Sequence, residues 1–462
     1  MDTPRRVNLG YSLKNIPLSS HKEYTLRLIE RTEQLIKRMR WRAIFYLSGD
    51  RKEDDQEGEN FGFKTRKCPP QVDEMKKFED DMYEMIGSVT YRSVHNELQD
   101  KMKEDLQTIS SSNDIIVPAD KTRNLYKMPP EEYRKLLHDN ITRNYQAAPE
   151  GSYDTINDEA KKIAADKGLE DRIDTMAKAE AFVTIKDHKE NFPRNMPCRL
   201  INSAKSEIGV ISKTILSGIV EALRDKPNIN LWKNTSSVIN WFRAIEEKAS
   251  HTFVTFDIVD FYPSISENLL SLALAYAKQF VAIPDCDADI ILHARQSLLF
   301  GANRTWAKKN RDGLFDVTMG SFDGAEACEL VGAFLLGKLE QHFSSGSVGL
   351  YRDDGLAVLR NATGHSADKV RKAVIDTFKT LGLKITIDVN LNAVNYLDIT
   401  MSLSTGTYQP YRKPNDTPLY VNVNSNHPPQ VLKNIPAGIN NRLASISCSE
   451  AVFRDAIPIY AE

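Results

Sequence analysis

The chain has 462 residues, of which 41% are hydrophobic, and its formal net charge at pH 7 is −2. These values predict about two to four soluble globular domains and exclude a uniformly basic coat protein for nucleic acid. The five cysteines form no CxxC pair, and no apolar run approaches the ~20 residues of a membrane-spanning helix, so we expect an intracellular protein with reduced thiols.

The first part of the chain, up to about residue 180, is predicted to be polar and mostly helical. A basic amphipathic helix begins at about Lys22 and ends in an apolar run at Leu47. The segment from Ser48 to Lys67 is charged and without periodicity, which indicates a loop or linker. The remaining elements are helical stretches at Val72–Leu106, Pro130–Leu137 and Glu150–Lys178 and a strand at Ile115–Pro118.

From Ala181 onward, short apolar strands alternate with helices, a pattern typical of an α/β or α+β domain in which helices cover a sheet. The predicted strands are Ala181–Ile185, Phe253–Ile258, Gly349–Tyr351, Leu356–Leu359, Ile385–Val389 and Tyr396–Met401. The predicted helices are Glu207–Leu223, Glu267–Lys278, Ala325–Phe343 and Ala367–Leu381. Beyond Pro410 the chain is rich in proline and asparagine and then becomes helical again.

Positive charge is concentrated in three stretches of this nearly neutral chain, at 27–42, 186–205 and 304–311. Local basic surfaces of this kind fit a nucleic-acid channel, in which the phosphate contacts are confined to one face. Each stretch taken alone is better explained by a solvated helix face. Acidic residues are concentrated at 50–59.

Three aspartates accompany the apolar strands. Asp257 lies at the end of the strand that begins at Phe253, where an unpaired carboxylate is costly to desolvate. Asp353 and Asp354 lie between two apolar segments, and Asp354-Gly355 is an ordinary hairpin turn sequence. If the second motif is considered alone, a purely structural turn explains it as well as a catalytic role does.

Considered together, the three aspartates favour a catalytic role over a structural one. Adjacent carboxylates repel each other, and cations stabilise two of them beside a third on a neighbouring strand. Magnesium prefers carboxylate oxygens and leaves positions open for phosphate and water. Two such ions ~3.5–4 Å apart can activate a 3′-hydroxyl and stabilise a leaving pyrophosphate. The sequence therefore predicts a metal-dependent site at these aspartates.

At this point the sequence resembles a known family. Segment 257–262 reads Asp-x-x-Asp-Phe-Tyr and segment 351–354 reads Tyr-Arg-Asp-Asp, and they resemble palm motifs A and C of reverse transcriptases. Segments 185–189 and 199–201 are similar to the finger motifs of Penelope-like retroelement reverse transcriptases, which are relatives of telomerase. Further similarities, in the correct order, are motif B at 317–321, motif D at 381–385, the primer-grip hairpin at 395–399, the thumb at 425–442 and the amino-terminal Asp-Lys-Gly motif at 119–121.

The chain departs from the family pattern at several motif positions. Thr122 replaces the glycine that follows Lys121, and Asp187 replaces an apolar residue in the first finger motif. Ile185 replaces a proline in the same motif, and Met319 replaces the glutamine that many relatives have in motif B. The three aspartates are intact, so these departures concern the contacts to template and nucleotide.

The resemblance implies a role for each matched residue. The implied metal site holds two Mg²⁺ ions, with Mn²⁺ as an alternative, and consists of Asp257, Asp353, Asp354 and the backbone carbonyl of Ile258. The implied nucleotide-binding residues are Lys186, Arg199, Asp260, Tyr262, Gly320 and Lys384. The implied primer grip consists of Tyr396, Leu397 and Asp398.

Several of these roles have a structural alternative. Tyr262 aligns with the aromatic steric gate that excludes a ribose 2′-hydroxyl, but a tyrosine at a strand end is more often packed in a core. Gly320 would let the backbone approach the incoming base pair, or would only form a turn before a helix. Lys384 would donate a proton to pyrophosphate, or would be a surface lysine. Lys186 has the same two explanations, as a phosphate ligand or a solvated lysine.

As a whole, the resemblance implies an α+β right-hand polymerase. Residues 1–110 would form a helical extension, 111–250 the fingers with the Asp-Lys region, 251–402 the palm and 403–462 a thumb-like region. The implied activity is RNA-directed DNA polymerisation, which adds dNTPs to a DNA primer on an RNA template. We expect a nuclear rather than a cytoplasmic location.

Two other functions stay open. A nucleic-acid-binding descendant that has lost its chemistry would not need all three aspartates. An RNA-dependent RNA polymerase is disfavoured by Tyr262 and by the tyrosine at position 351. No segment resembles the GIY-YIG endonuclease of many Penelope-like proteins, so we expect primer extension without nicking of duplex DNA. We interpret His188 and His427 as structural or RNA-contacting residues, because neither has metal-ligand spacing.

Overall fold

The structure is a computed structural model that describes residues 5–7, 14–49, 61–93, 95–122, 124–173, 176–187, 189, 192, 196–226, 229–309, 313–412 and 420–461. Its N-terminal part contains three long helices and a small antiparallel sheet of order β1-β3-β2. These elements are α1 (His21–Ser48), α2 (Lys76–Ser88), α3 (Glu97–Ser111), β1 (Arg5–Val7), β2 (Ile115–Pro118) and β3 (Leu125–Met128). The helical stretch expected at 72–106 is therefore two helices, because Asn96 caps a new helix through the N–H of Gln99.

The next part of the chain adds helices, a hairpin and a short strand. They are α4 (Pro130–Asn144), β4 (Tyr145–Ala147), α5 (Ser152–Asp166), β5 (Phe182–Ile185), β6 (Cys198–Ile201), α6 (Ile208–Arg224), β7 (Asn230–Leu231) and α7 (Thr235–Ala244). β5 and β6 pair with each other in antiparallel fashion. The helical stretch predicted at 150–178 is shorter in the structure, since α5 ends at Asp166, and its residues Ile156 and Ala164 are buried.

The centre of the molecule is a five-stranded sheet of order β13-β8-β12-β11-β7. Its further strands are β8 (His251–Ile258), β11 (Val348–Tyr351), β12 (Asp354–Arg360) and β13 (Ile385–Leu391). All neighbours are antiparallel except β11 and β7. In the middle of β8 and β12, consecutive residues are buried or half-buried, and exposed residues occur only near the strand ends. The middle of the sheet is therefore covered on both faces.

Helices cover the sheet and provide most of its core. The remaining elements up to residue 380 are α8 (Phe261–Ser264), α9 (Glu267–Ala277), α10 (Asp285–His293), β9 (Leu299–Gly301), β10 (Arg304–Lys308), α11 (Gly324–Leu339) and α12 (Gly364–Thr380). α11 has eleven buried residues and packs against α6 and α9 and against β11. Such an all-round apolar helix is central to a large core. β4, β10 and β9 form a separate small sheet.

The C-terminal part is a three-stranded meander followed by two helices. The elements are β14 (Ala393–Tyr396), β15 (Ile399–Ser402), β16 (Thr407–Pro410), α13 (Pro429–Ser445) and α14 (Glu450–Ala461). The single strand expected at 396–401 is wrong, because Leu397 adopts a left-handed φ of 51° and the chain turns there. The primer-grip segment is a hairpin, as the resemblance implied.

Among the described residues, no helix combines the length and the apolar character that crossing a membrane requires.

The pairing of β8 with β12 depends on a glycine. Gly355 lies opposite Phe256, and a Cβ added to Gly355 would lie 2.1 Å from two carbon atoms of the Phe256 ring. The ring is buried and packs against Phe378, with 5.6 Å between the ring centroids, so it has no space to move away.

We therefore expect Gly355→Ala to lower the free energy of unfolding by roughly 1–3 kcal/mol, the usual cost of overpacking a core. Gly218→Ala is the matched control, since it lies inside α6 with nothing within 4 Å of the added Cβ. It should raise stability by about 0.5–1 kcal/mol through the loss of glycine's flexibility in the unfolded chain. Thermal unfolding midpoints measure both changes, and shifts of the same sign would contradict the expectation.

Candidate active site on the central sheet

The hairpin between β11 and β12 turns two residues earlier than the sequence suggested. Tyr351 pairs with Asp354, so the two turn residues are Arg352 and Asp353. Arg352 supplies the left-handed conformation, with a φ of 56°. The expected turn at Asp354-Gly355 is wrong, since both residues belong to β12 and Gly355 is needed there for the packing of the neighbouring strand.

The sheet brings the three predicted aspartates to one end of two neighbouring strands. Asp257 of β8 lies directly opposite Asp354 of β12, so the two side chains project from the same face. The backbone N–H of Ile258 donates to the carbonyl oxygen of Asp353 at 3.0 Å, which fixes the turn beside the end of β8. Asp257 and Asp354 are exposed, and Asp353 is half-buried.

The charges around Asp257 act on it in opposite directions. Burial raises the pKa of the Asp257 carboxyl, and the neighbouring Asp353 and, more weakly, Asp260 raise it further. The positive charges of Lys121 and Lys189 lower the pKa of Asp257 but do not cancel these effects. The ionised carboxylate is therefore poorly stabilised by the protein alone.

These donors fit a divalent cation whose coordination is completed by other molecules. Among the described residues, no three His, Cys, Asp or Glu side chains converge into a ready-made metal cage. The charge of Asp353 nevertheless opposes the ionisation of Asp257, and a cation would relieve that repulsion. Magnesium is usually held by one or two carboxylates with water and phosphate oxygens. Metal binding, including the part expected of the Ile258 carbonyl, stays a prediction.

Tyr262 lies between the carboxylates and the start of α11. Asp260 has a left-handed φ of 48° and precedes the single turn of α8, which carries Tyr262. A Cβ added to Gly324 would lie 3.4 Å from Cε1 of the Tyr262 ring. Burial raises the pKa of Tyr262 to about 12, and the charge of Asp353 contributes to the increase. The half-buried ring is therefore near the aspartates, and its role as a steric gate stays a prediction.

Gly320 lies where another residue would not fit. Its φ is +113°, and a Cβ on it would lie 2.7 Å from the carbonyl oxygen of Asn202, just beyond β6. The glycine therefore allows the segment before α11 to approach the β6 strand closely. A backbone approach to a base pair at the same position is still a prediction.

A buried ion pair that the sequence analysis missed holds the Gly320 segment in place. Arg295 and Asp323 are both almost fully buried and form a salt bridge. Arg295 also donates to Oγ of Ser321 at 3.3 Å, and Ser212 donates to Asp323 at 2.5 Å. Asp323 directly precedes α11, so the pair fixes both the helix start and the residue after Gly320. Long sequence separation leaves no local signal for this contact.

Lys384 lies at the same end of the sheet. It is exposed, directly before β13, and its carbonyl oxygen accepts a hydrogen bond of 2.8 Å from the N–H of Val259. Thr386, two residues later, pairs with Asp257. The proton-donating role of Lys384 stays a prediction.

The predicted triphosphate ligands have different surroundings. Lys186 is half-buried, and its N–H donates to the carbonyl oxygen of Pro197 at 2.7 Å. Arg199 forms a salt bridge of 2.8 Å with Asp120 and is still 34% exposed. The lysine charges that act on Asp257 are those of Lys121 and Lys189, to which the sequence analysis gave no role. The resemblance of residues 119–121 to the Asp-Lys-Gly motif was the sequence feature that could have indicated a role for Lys121.

The predicted primer-grip hairpin is attached to the carboxylate hairpin. The hydroxyl of Tyr396 donates to the backbone carbonyl of Asp354 at 2.6 Å. Asp398 forms a salt bridge of 2.8 Å with Arg442 of α13, which connects the hairpin to the C-terminal helices. Tyr396, Leu397 and Asp398 line a cavity of about 530 Å³ together with Tyr351 and Asp354. This cavity opens beside the carboxylates.

Other predicted features are only partly within the described residues. Nδ1 of His427 and Oγ of Ser425 form a hydrogen bond of 2.9 Å, which agrees with a structural role for the histidine. His188, Arg311 and the acidic segment at 50–59 lie outside the described residues.

Comparison with known proteins identifies the fold. No protein-family model matches the chain, and no curated protein matches it. The solved structure of telomerase from Candida albicans in complex with the TWJ fragment of telomeric RNA aligns with a TM-score of 0.52 at 10% identity. The alignment covers 85% of this chain and 67% of the telomerase chain. The chain therefore shares the fold of this telomerase, with mixed helices and strands.

Two further structures are more distant. Apo telomerase from Candida tropicalis, truncated from its C-terminal domain, aligns with a TM-score of 0.47 at 11% identity, over 85% of this chain and 92% of that one. The RNA-dependent RNA polymerase of a human picobirnavirus aligns with a TM-score of 0.43 at 10% identity, over 84% and 83%.

The electrostatics of Asp257 predict how the protein responds to metal. Because folding raises the pKa of this acid, ionisation disfavours the folded state, and stability falls as the pH rises from the unfolded value to the raised one. At neutral pH in EDTA, we expect Asp257→Asn to raise the thermal unfolding midpoint. The same change should remove the stabilisation that added Mg²⁺ gives the wild type.

Asp388→Asn is the matched control, since Asp388 is an exposed residue of the adjacent strand β13. It should leave both the midpoint in EDTA and the response to Mg²⁺ close to those of the wild type. A lower midpoint for Asp257→Asn in EDTA would contradict the interpretation of its surroundings.

Proposed function

We propose that the protein is an RNA-directed DNA polymerase that adds dNTPs to the 3′-hydroxyl of a primer. The observation that carries this proposal is the placement of Asp257 opposite Asp354, with Asp353 in the adjoining turn, on the central sheet of a polymerase fold. A fold alone does not define an activity, and here the carboxylate site supplies the chemical argument.

In this proposal, Asp257, Asp353 and Asp354 hold two magnesium ions, with the carbonyl of Ile258 as a further ligand. When bound, the ions would lower the pKa of the primer hydroxyl and stabilise charge on the leaving pyrophosphate. The protein's own part is to hold the carboxylates in a fixed arrangement before substrate binds. The β8–β12 pairing and the hydrogen bond from Ile258 to Asp353 support that part.

The nucleotide would lie between the carboxylates and the hairpin formed by β5 and β6. Arg199 suits the triphosphate because its guanidinium can bind phosphate oxygens through two donors. Gly320 and Tyr262 would face the sugar and base, and the buried pair of Arg295 and Asp323 would keep this wall rigid. Lys384 would protonate the pyrophosphate as it leaves.

The primer end would lie in the cavity of about 530 Å³ between the carboxylate hairpin and the β14–β15 hairpin. The hydrogen bond between Tyr396 and the Asp354 carbonyl supports this assignment, because it keeps the two hairpins at a fixed separation. Asp398 and Arg442 would transmit the position of the C-terminal helices, the proposed thumb, to the primer end.

The remaining features of the proposal rest on the sequence motifs. We assign the hairpin β5–β6 and the adjoining sheet of β1, β3 and β2 to the fingers. The central sheet is assigned to the palm, and α13 with α14 to the thumb. The Penelope-like motifs favour a retroelement enzyme that acts in the nucleus. The intact aspartates disfavour a binding protein without activity, and Tyr262 disfavours an RNA-copying enzyme that makes RNA.

The test of the activity is primer extension on RNA and DNA templates with dNTPs or rNTPs in Mg²⁺. We expect Asp353→Asn to reduce extension below detection, because the proposal gives this residue a metal-binding role and its side chain is not part of the hydrophobic core. Primer–template binding should not fall, nor should the thermal unfolding midpoint when it is measured in EDTA. Asp388→Asn should extend primers as the wild type does, and a comparable rate for Asp353→Asn would refute the metal assignment.

Tyr262→Ala tests the choice of sugar. Removing the ring should open space beside C2′, so selectivity for dNTPs over rNTPs should fall at least about tenfold, or ~1.4 kcal/mol. Tyr262→Phe is the matched control, since it keeps the ring and should keep the selectivity. An unchanged preference in a folded and active Tyr262→Ala variant would show that the ring only packs in the core.

A further inference from the structure

The segment that carries Lys121 is built onto the hairpin β5–β6. Ala119 forms a parallel bridge with Ile185 at the end of β5, and the N–H of Asp120 donates to the Ile185 carbonyl at 2.8 Å. The N–H of Ala119 donates to the carbonyl of Asn124 at 2.9 Å, which closes a short loop. The loop backbone is therefore fixed relative to the segment expected to bind the triphosphate.

On one side of Lys121, Asp120 forms a salt bridge with Arg199. The Asp120 side chain is only 6% exposed, and Oδ1 accepts from Nη1 of Arg199 at 2.8 Å. Oδ2 of Asp120 and Nε of Arg199 are buried and have no hydrogen-bond partner among the described residues. A buried carboxylate that binds a single arginine in this way holds the guanidinium in one orientation. Arg199 still has donors that reach solvent.

On the other side of Lys121, Thr122 forms a hydrogen bond with Asp187. Its hydroxyl donates to Oδ2 of Asp187 at 2.6 Å, and the same oxygen accepts from Asn124 at 2.7 Å and from Tyr126 at 2.9 Å. Thr122 and Asp187 are two of the positions at which this chain departs from the family pattern. The structure shows that the two departures contact each other, so they act as one unit.

Lys121 is thus an exposed lysine between two anchored neighbours. Its neighbour Asp120 holds Arg199 of β6, and its loop is bonded to Ile185, the residue before Lys186. Three basic residues, Lys121, Lys186 and Arg199, are therefore carried by this loop and by the β5–β6 hairpin to which it is attached. A group of positive charges of this kind suits an anionic ligand such as a phosphate.

We propose that residues 119–122 form a phosphate-binding loop, in which Lys121 contacts the triphosphate of the incoming nucleotide. Asp120 and Asp187 are positioning residues, which orient Arg199 and the Lys121 loop respectively. This inference rests on the proposed function, since it names the triphosphate of that reaction as the ligand. The nucleic-acid backbone is a less suitable ligand, because the triphosphate is the group that must reach the carboxylate site.

The test measures binding of Mg²⁺·dTTP to the full chain on a dideoxy-terminated primer–template, by isothermal titration calorimetry. We expect Lys121→Ala to weaken dTTP binding about tenfold, the usual effect of losing one charged hydrogen bond. Lys121→Arg should restore most of the affinity. Lys135→Ala, an exposed lysine on α4, is the matched control and should bind dTTP as the wild type does.

The positioning role is tested by a pair of variants at Thr122. Thr122→Val has the same shape but lacks the hydroxyl, so it should raise the KM for dNTPs several-fold with little change in kcat. Thr122→Ser keeps the hydroxyl and should behave as the wild type. If both variants have the same KM as the wild type, the Asp187 contact does not position the loop.

The outcomes separate this inference from the proposed activity. If wild-type protein binds dTTP but extends no primer, the polymerase proposal fails, and weaker binding by Lys121→Ala still supports the loop. If the wild type extends primers and Lys121→Ala binds dTTP equally well, the loop proposal is overturned and the activity stands. Weaker binding of the primer–template, with dTTP affinity unchanged, would assign Lys121 to the nucleic-acid backbone and also overturn it.

Discussion

The antiparallel pairing of β8 with β12 is the constraint on which the rest of the site depends. It places Asp257 opposite Asp354 and beside the turn that carries Asp353, whose charge opposes the ionisation of Asp257. The free energy for this arrangement comes from the apolar residues on the same strands. A slip of one residue would move one carboxylate to the opposite face. The packing of Phe256 against Gly355 opposes such a slip, because other positions on β12 have side chains in the way.

A second constraint acts around the sheet, through buried polar contacts. Arg295 and Asp323 lie in the interior and fix the segment before α11, and Asp120 and Asp187 fix the loop beside β5. Buried charges and hydrogen bonds contribute little net stability but are costly to leave unpaired, so they permit only one arrangement of the backbone. The backbone around the three carboxylates is therefore held in one arrangement.

The sequence by itself determined most of the elements and the position of the candidate site. Apolar periodicity located four of the five strands of the central sheet and the main helices that cover it, because burial on both faces leaves a strong hydrophobic signal. The fifth strand, β7, has only two residues and was not predicted. The three aspartates could be found because carboxylates at the ends of apolar strands are unusual. The ordered motifs indicated a polymerase fold, and the structural likeness to telomerase agrees with it.

Only the tertiary structure decided which residues meet. The turn of the carboxylate hairpin lies at Arg352 and Asp353, because the packing of Phe256 draws Gly355 into β12, and no local rule contains that contact. The same is true of Thr122 and Asp187, which are 65 residues apart and appeared in the sequence as two unrelated departures. Local patterns specify elements, whereas side-chain contacts between distant segments depend on how the whole chain packs.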